Sequence, residues 1–188
     1  MAFPRSGTVD TQTFSGTKDF VFARSSVAQT TNIAANDHLK FDTVDFSRPS
    51  VAQLTGALGG SAVSLDTSTA YSNTDGAASI GRFTVRGGKL YKLECSPGYI
   101  VWSGPTGLLT FQWFDVTGVA AAIGQPLQVL PVTQTVAEIG NGDLWTMYNP
   151  GGGQNDLFLL EVRLLAPTAL TQVGIAAKGF PTVMVETY

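Results

Sequence analysis

Residues 81–96 read GRFTVRGGKLYKLECS. Two alternating runs flank a glycine pair. In the first, Phe83 and Val85 point one way while Arg82, Thr84 and Arg86 point the other. In the second, Tyr91, Leu93 and Cys95 share a side opposite Lys92 and Glu94. Period-two alternation is the mark of a strand buried on one face. Gly87-Gly88 supplies the positive φ angles of a tight turn, so the stretch predicts a β-hairpin with an apolar inner side. Its outer side carries Arg82, Arg86, Lys89 and Lys92, offset by Glu94. Outward charges on strands are ordinarily solvated, so scaffold is the reading favoured over an anion or glycan site.

The same pattern extends along the chain. HLKFDTVDF (38–46) puts Leu39 and Phe41 on one face, with Val44 and Phe46 out of step, which predicts a bulge between the two pairs. SAVSLD (61–66) alternates through Val63 and Leu65. LLTFQWFDV (108–116) is apolar on both sides and reads as a central strand buried on both faces. LWTMY, DLFLLEVRLL, LTQVGIAA and PTVMVETY complete at least eight strand candidates, spaced as in sandwiches and barrels. VAAAIG (119–124) is too short for a helix and ends in Gly-Gln-Pro, so it reads as a loop. The chain is predicted to be all-β.

Composition agrees. Of 188 residues, 44% are apolar and only 13% charged, with Gly 21 and Pro 9. That suits one turn-rich β domain that hides further surface in an oligomer. A net charge of −3 gives no general attraction to nucleic acid or to an anionic membrane. No apolar run approaches the roughly 18–20 residues of a membrane span, and no basic stretch followed by an apolar run marks a secretory signal. The opening MAFPRSGTVD reads as the start of a chain made in the cytosol. Residues 1–31 are Ser-, Thr-, Gly- and Gln-rich, with Phe3, Phe14, Phe20 and Phe22 scattered among them. Such a segment is too polar for a core of its own and predicts an extended arm whose aromatics dock elsewhere. The octets RSSVAQTT (24–31) and RPSVAQLT (48–55) share six of eight positions, a similarity that chance in a Ser/Thr/Ala-rich region explains, or else two arms that meet equivalent surfaces.

Residues able to do chemistry are few. His38 is the only histidine and opens a strand. No Gly-x-Ser-x-Gly elbow exists, so a structural role is expected for His38. Cys95, the single cysteine, ends an alternating strand on its apolar side, which predicts a small buried hydrophobe and excludes an internal disulfide or a Cys/His zinc site. Asp42 and Asp45 are close together, while Asp115, Glu138, Asp143, Asp156 and Glu161 are scattered. None forms a calcium-binding loop. GALGG (56–60) and GGGQND (151–156) lack the Gly-Lys-Ser/Thr ending of a phosphate cradle and read as connections at the ends of a sandwich, where recognition would sit if there were any. No cofactor and no enzymatic activity are expected.

The order of motifs carries a resemblance. AANDHLKFDTV, AVSLDTSTAYS, SIGRFTVRGGKLYKLECS, LTFQWFDVTGVAAAIGQP, DLFLLEVRLLAPTALTQVGIAAKGF and TVMVETY follow one another from about residue 33 to 188. This resembles the jelly-roll domains of tailed-phage virion proteins, which are similar to the complement globular head and tumour necrosis factor. The motif through Gly81, Phe83, Val85, Gly88, Lys89, Tyr91 and Leu93 would be the signature hairpin. The strand through Phe111, Gln112, Trp113, Asp115 and Thr117 would be its partner in the core. The resemblance implies an antiparallel jelly-roll sandwich (33–188) behind an attachment arm (1–32), assembled as a homotrimer. It implies a structural virion protein made in the bacterial host cytoplasm: a capsid decoration or cement protein, or a head fibre, held on the major capsid protein or another virion protein. The alternative is a receptor- or glycan-binding head of a tail fibre or spike, with Trp102 or Trp145 stacking on sugar. Those tryptophans would otherwise pack between subunits. Calcium occurs in some complement-like heads, but this sequence shows no ligand cluster to match.

Overall fold

The computed structural model describes residues 18–30, 35–48, 63–65, 81–102, 109–129, 136–138, 144–165, 170–173 and 181–188. Among these the regular elements are all strands: β1 (Phe20–Arg24), β2 (Thr43–Arg48), β3 (Val63–Leu65), β4 (Phe83–Arg86), β5 (Tyr91–Ser96), β6 (Tyr99–Trp102), β7 (Leu109–Asp115), β8 (Ala121–Val129), β9 (Val136–Glu138), β10 (Leu144–Tyr148), β11 (Leu157–Leu164), β12 (Leu170–Val173) and β13 (Thr182–Thr187). One five-stranded sheet runs β10-β5-β13-β1-β2 and a second runs β3-β4-β11-β7-β8; β12-β6-β9 form a small third sheet. Neighbouring strands pair antiparallel throughout.

The two large sheets share one core. Val21, Ala23, Tyr91, Leu93, Cys95, Val183 and Val185 enter it from the first, and Val63, Leu65, Phe83, Val85, Phe111, Trp113, Leu160 and Val162 from the second. Apart from those of β7, which is buried on both faces, these residues are the apolar halves of alternating runs, so sealing both sets from water needs two facing sheets. Phe83 lies between Phe41 and Trp113, with ring centroids 6.2 and 6.1 Å away. Ten antiparallel strands in this order make a jelly-roll sandwich, as expected.

Several local expectations are corrected. The Gly87-Gly88 stretch is not a hairpin, because β4 belongs to the second sheet and β5 to the first. The backbone groups a hairpin would use are engaged elsewhere. Tyr91 Oη accepts from Arg86 N at 3.0 Å and donates to Arg86 O at 2.8 Å. Gly87 N donates to Asp156 O, and Gly88 N to Gly151 O. The glycine pair therefore turns the chain from one sheet to the other, with Gly88 at φ 69°.

β1 is the second correction. The jelly roll does not begin at residue 33, since Phe20–Arg24 sits between β13 and β2 inside the first sheet. Val21 and Ala23 are fully buried. FVFAR alternates locally, and a partner on each side outweighs the polar composition of its surroundings.

HLKFDTVDF is two pieces rather than one bulged strand. Leu39 N donates to Val162 O, and His38 bridges Arg163, so this segment continues the second sheet beside β11. The chain then returns to the first sheet as β2, where the bulge falls at Asp45, opposite the step from Phe22 to Ala23. Gly81 makes that crossing possible. Its φ is 84°, and a Cβ there would lie 2.7 Å from Leu39 O and 2.8 Å from Phe41 N. VAAAIG is also no loop: Ala121–Gly124 opens β8, held by its ladder to β7. β7 is buried on both faces but lies next to the edge strand.

Both ends of the described chain meet at one pole. Thr187 N donates to Asp19 O and Asp19 N to Thr187 Oγ1. Lys18 Nζ lies 3.1 Å from Glu186 and 4.8 Å from the centre of the Tyr188 ring.

Candidate functional site

Of the charges that opened the question of binding, Arg82, Arg86, Lys92 and Glu94 are engaged locally. Arg82 Nε donates to Glu161 Oε2 at 2.6 Å, Arg86 Nη1 to Gln154 O at 3.0 Å, and Lys92 pairs with Glu94 at 2.6 Å.

Glu161 is the most buried charge of the described residues, 1% exposed on the outer side of β11. Arg82 reaches it from the residue before β4 and Arg163 from its own strand, while His38 Nδ1 lies 3.8 Å away. Burial alone would push its carboxyl up. Hydrogen bonds from Arg163 and Arg82, and the nearby His38, outweigh that and hold it below its ordinary value of 4.5. Arg163 also lies over the Phe114 ring, 4.9 Å from its centre. His38 thus sits in a polar tie between the 36–41 segment and the second sheet.

The first SVAQ octet lies in the same tie. Ser25 Oγ donates to Lys40 O, and Ser26 donates to both oxygens of Asp42. The buried Gln29 side chain donates to His38 O and accepts from Lys40 N, and its backbone pairs with Val173 of β12. The second octet falls on residues 48–55, which apart from Arg48 lie outside the described residues.

Asp115 and Thr117 of the F-Q-W-x-D-x-T motif form a second tie. Asp115 Oδ1 accepts from Thr117 N and Oγ1, Asp115 Oδ2 accepts from Tyr148 Oη, and Thr117 Oγ1 accepts from Leu159 N. Tyr148 belongs to the first sheet and Asp115 to the second, so the cluster fastens the sandwich at one margin. Burial would raise the Asp115 carboxyl, but the Thr117 and Tyr148 hydrogen bonds hold it below its ordinary range. The Tyr148 phenol is pushed up by burial and then by Asp115.

The outer face of the first sheet is different in kind. Cross-strand registers place Trp145 beside Glu94, Glu94 beside Met184, Met184 beside Phe22 and Phe22 beside Phe46. One row thus crosses all five strands with Glu94 as its single charge. The next row is Met147, Lys92, Glu186, Phe20 and Arg48. Phe46 is 67% and Trp145 61% exposed. The Phe22 and Phe46 rings lie 6.2 Å apart. Phe22, Met184, Glu94, Ser96 and Thr182 line a shallow depression of about 180 Å³ in the middle of the face. Most charges here are paired within the chain, Arg24 with Asp45, Lys18 with Glu186 and Lys92 with Glu94, while Arg48 at the end of the second row is exposed.

Of the residues singled out from sequence, Phe83, Tyr91, Leu93, Phe111 and Trp113 are fully buried, and Cys95 is buried beside them. Gly81 and Gly88 occupy positive-φ turns. Phe20 and Phe22 line the outer face of β1, not a detached arm. Phe3, Phe14 and Asp143 lie outside the described residues, as do the GALGG connection and the side chains of Trp102 and Glu138. The GGGQND loop packs on the Gly87-Gly88 turn, where a Cβ at Gly87 would meet Gly153 O at 2.5 Å. Among the described residues, no three His, Cys, Asp or Glu side chains form a metal-binding group. Sequence reasoning missed the row because it treated 1–31 as an arm. Its available signal was the alternation of FVFAR with that of TVMVET.

No protein-family model matches the chain, and no curated protein sequence matches it. Among solved structures, the globular domain of zebrafish complement 1qA protein superposes with a TM-score of 0.43 at 8% identity, over 91% of this chain and 94% of that one.

Proposed function

We propose that the chain is a structural virion protein whose jelly roll assembles as a homotrimer and serves as the capsid decoration, cement or head fibre of a tailed phage. The observation that carries the non-enzymatic part is the engagement of the chemically competent side chains in the fold itself. His38 and Glu161 tie the 36–41 segment to β11, Asp42 holds Ser26, Asp45 pairs with Arg24, Asp115 joins the two sheets, and Cys95 is core. What the described surface offers instead is an aromatic face, the chemistry of assembly. The virion assignment is supported by the motif order of residues 33–188. Residues before β1, with Phe3 and Phe14, would make the attachment to the major capsid protein or another virion protein. The net charge of −3 disfavours nucleic acid and anionic membrane as partners. The test is the copy number of this chain in purified particles, with a density map to locate it. Hundreds of copies fit a decoration protein, and a dozen or fewer overturn that assignment.

The exposure of Trp145 beside Glu94 favours a second reading, a glycan-binding head in which the indole stacks on a sugar ring. Binding to immobilised host-surface glycans that is lost in Trp145→Ala would support it, and its absence across the array would count against it.

A further inference from the structure

We infer that Arg82 and Arg163, on the outer face of the second sheet, form a binding site for the acid group of an anionic saccharide. The site rests on neither reading above, since it lies on the sheet opposite the aromatic face.

The arrangement begins with Glu161. Each of its oxygens takes one guanidinium by the Nε alone, Arg82 on Oε2 at 2.6 Å and Arg163 on Oε1 at 2.5 Å. A carboxylate can accept the whole fork of one arginine. Here it is divided between two, and the Nη groups of both have no acceptor among the described residues. The two cations are already held in place, Arg163 by Glu161 and the Phe114 ring, Arg82 by Glu161 from the neighbouring strand. Their side chains keep 18% and 25% of their surface exposed. A structural tie needs one arginine per carboxylate. The second leaves a positive charge that water reaches only in part, and an oxyanion accepting from the Nη groups would neutralise it. Donors fixed in advance lose little freedom on binding.

The rest of the face narrows the ligand. Arg82 precedes the Phe83–Leu160 pair, which sets it opposite Glu161, and Thr84 follows beside Leu159 and Ser64. Glu161 in turn pairs with Phe114, and Arg163 with Gln112. Among the described residues of β3, β4, β11 and β7 on this side, Glu161 is the one carboxylate, against Arg82, Arg86 and Arg163. Half of the chain's six arginines thus stand on one face of a protein whose net charge is −3. That reversal of sign draws anions here. The neighbours Ser64, Thr84 and Gln112 are polar and uncharged, a lining that suits the hydroxyls of a sugar. Guanidinium groups recognise carboxylate and phosphate alike, so a uronic acid and a phosphorylated sugar are two sources of the same chemistry.

The experiment uses the full chain with heavy nitrogen in its arginines. Its Nε–H signals are followed on titration with glucuronate, a glucose phosphate, glucose and inorganic phosphate. The Arg82 and Arg163 signals are expected to move and saturate with either acid sugar, while those of Arg24 and Arg48 stay and glucose moves none. Arg82→Lys keeps the charge but not the fork, and should weaken binding about tenfold in a variant whose melting curve shows it folded. A second measurement needs no variant. Phenylglyoxal adds to accessible guanidinium groups, and glucuronate should protect Arg82 and Arg163 from it, read by peptide mass, while Arg48 reacts as before. Signals that do not move in tens of millimolar acid sugar, with no protection, overturn the site and leave the cluster a structural tie. Unchanged affinity in Arg82→Lys overturns the role of the fork. Inorganic phosphate that binds as tightly as the sugar phosphate shows an adventitious ion only and overturns the saccharide assignment.

Discussion

Trp113 shows how much a single residue holds. Its ring is fully buried against Phe83, yet its indole N–H has no acceptor among the described residues. Trp113→Ala should therefore cost about 3–5 kcal/mol through the cavity it leaves. Trp113→Phe also removes an unsatisfied donor, which is worth about 1–3 kcal/mol when buried, and should lie within about 1 kcal/mol of wild type. Denaturant titration of the two variants checks both. Glu161 sets an acid limit. Its folded carboxyl is held below its ordinary 4.5, so its contribution to stability is fully present above that pH and is lost as pH falls through the folded value. Glu161→Gln should flatten that acid dependence while lowering stability at pH 7, because Arg82 and Arg163 lose their partner. Melting temperatures between pH 7 and pH 3 would show it. At the alkaline end, burial pushes the Tyr91 phenol up to about 12, so its phenolate absorbance should be missing at pH 11 in the folded protein and appear on unfolding.

At the scale of elements the turns differ in sensitivity, and three glycines grade them: Gly118 in the turn between β7 and β8 of one sheet, and Gly88 and Gly81 where the chain moves between sheets. An added Cβ at Gly118 meets nothing within 4 Å, at Gly88 its nearest neighbour is Gly152 O at 3.4 Å, and at Gly81 it strikes backbone at 2.7 Å. Gly118→Ala should be neutral. Gly88→Ala should cost about 1–2 kcal/mol for its left-handed backbone, and Gly81→Ala more than either, an order that thermal melts can check. β1 makes a second prediction. A chain starting at residue 18 should fold, whereas one starting at residue 32 lacks a strand with neighbours on both sides and should not; circular dichroism and proteolysis separate the outcomes. The sequence made most strands legible, because alternation through Phe83, Leu93, Leu160 and Val185 reports burial wherever it occurs. It could not show that β4 and β5 part company, since period two says which side is inner but not which sheet a strand joins. That choice is made by Tyr91 and by the backbone of residues 151–156, far away in sequence. β8 was illegible for a related reason: Ala, Gly and Pro carry no strand preference, and its conformation is imposed by β7. The polar ties were hidden too, because Glu161, Arg82 and His38 are 123 positions apart at the extremes and meet only through the topology.

At the scale of the whole molecule, the low charge and the aromatic row point the same way. If the face is covered by copies of the chain, folding is linked to association. The melting temperature should then rise with protein concentration in the wild type, and Phe46→Asp should abolish that dependence; calorimetry across a hundredfold range of concentration is sufficient. The meeting of Lys18 with Glu186 and Tyr188 has a practical side. A chain whose two described ends touch can be rewired: a linker of a few residues could join Tyr188 to Lys18 and new termini could open in the exposed turn around Gly118, turning the sandwich inside out in sequence while every strand keeps its neighbours. The same proximity means that a tag fused after Tyr188, and one fused ahead of Lys18 in a chain that starts there, would emerge from one pole.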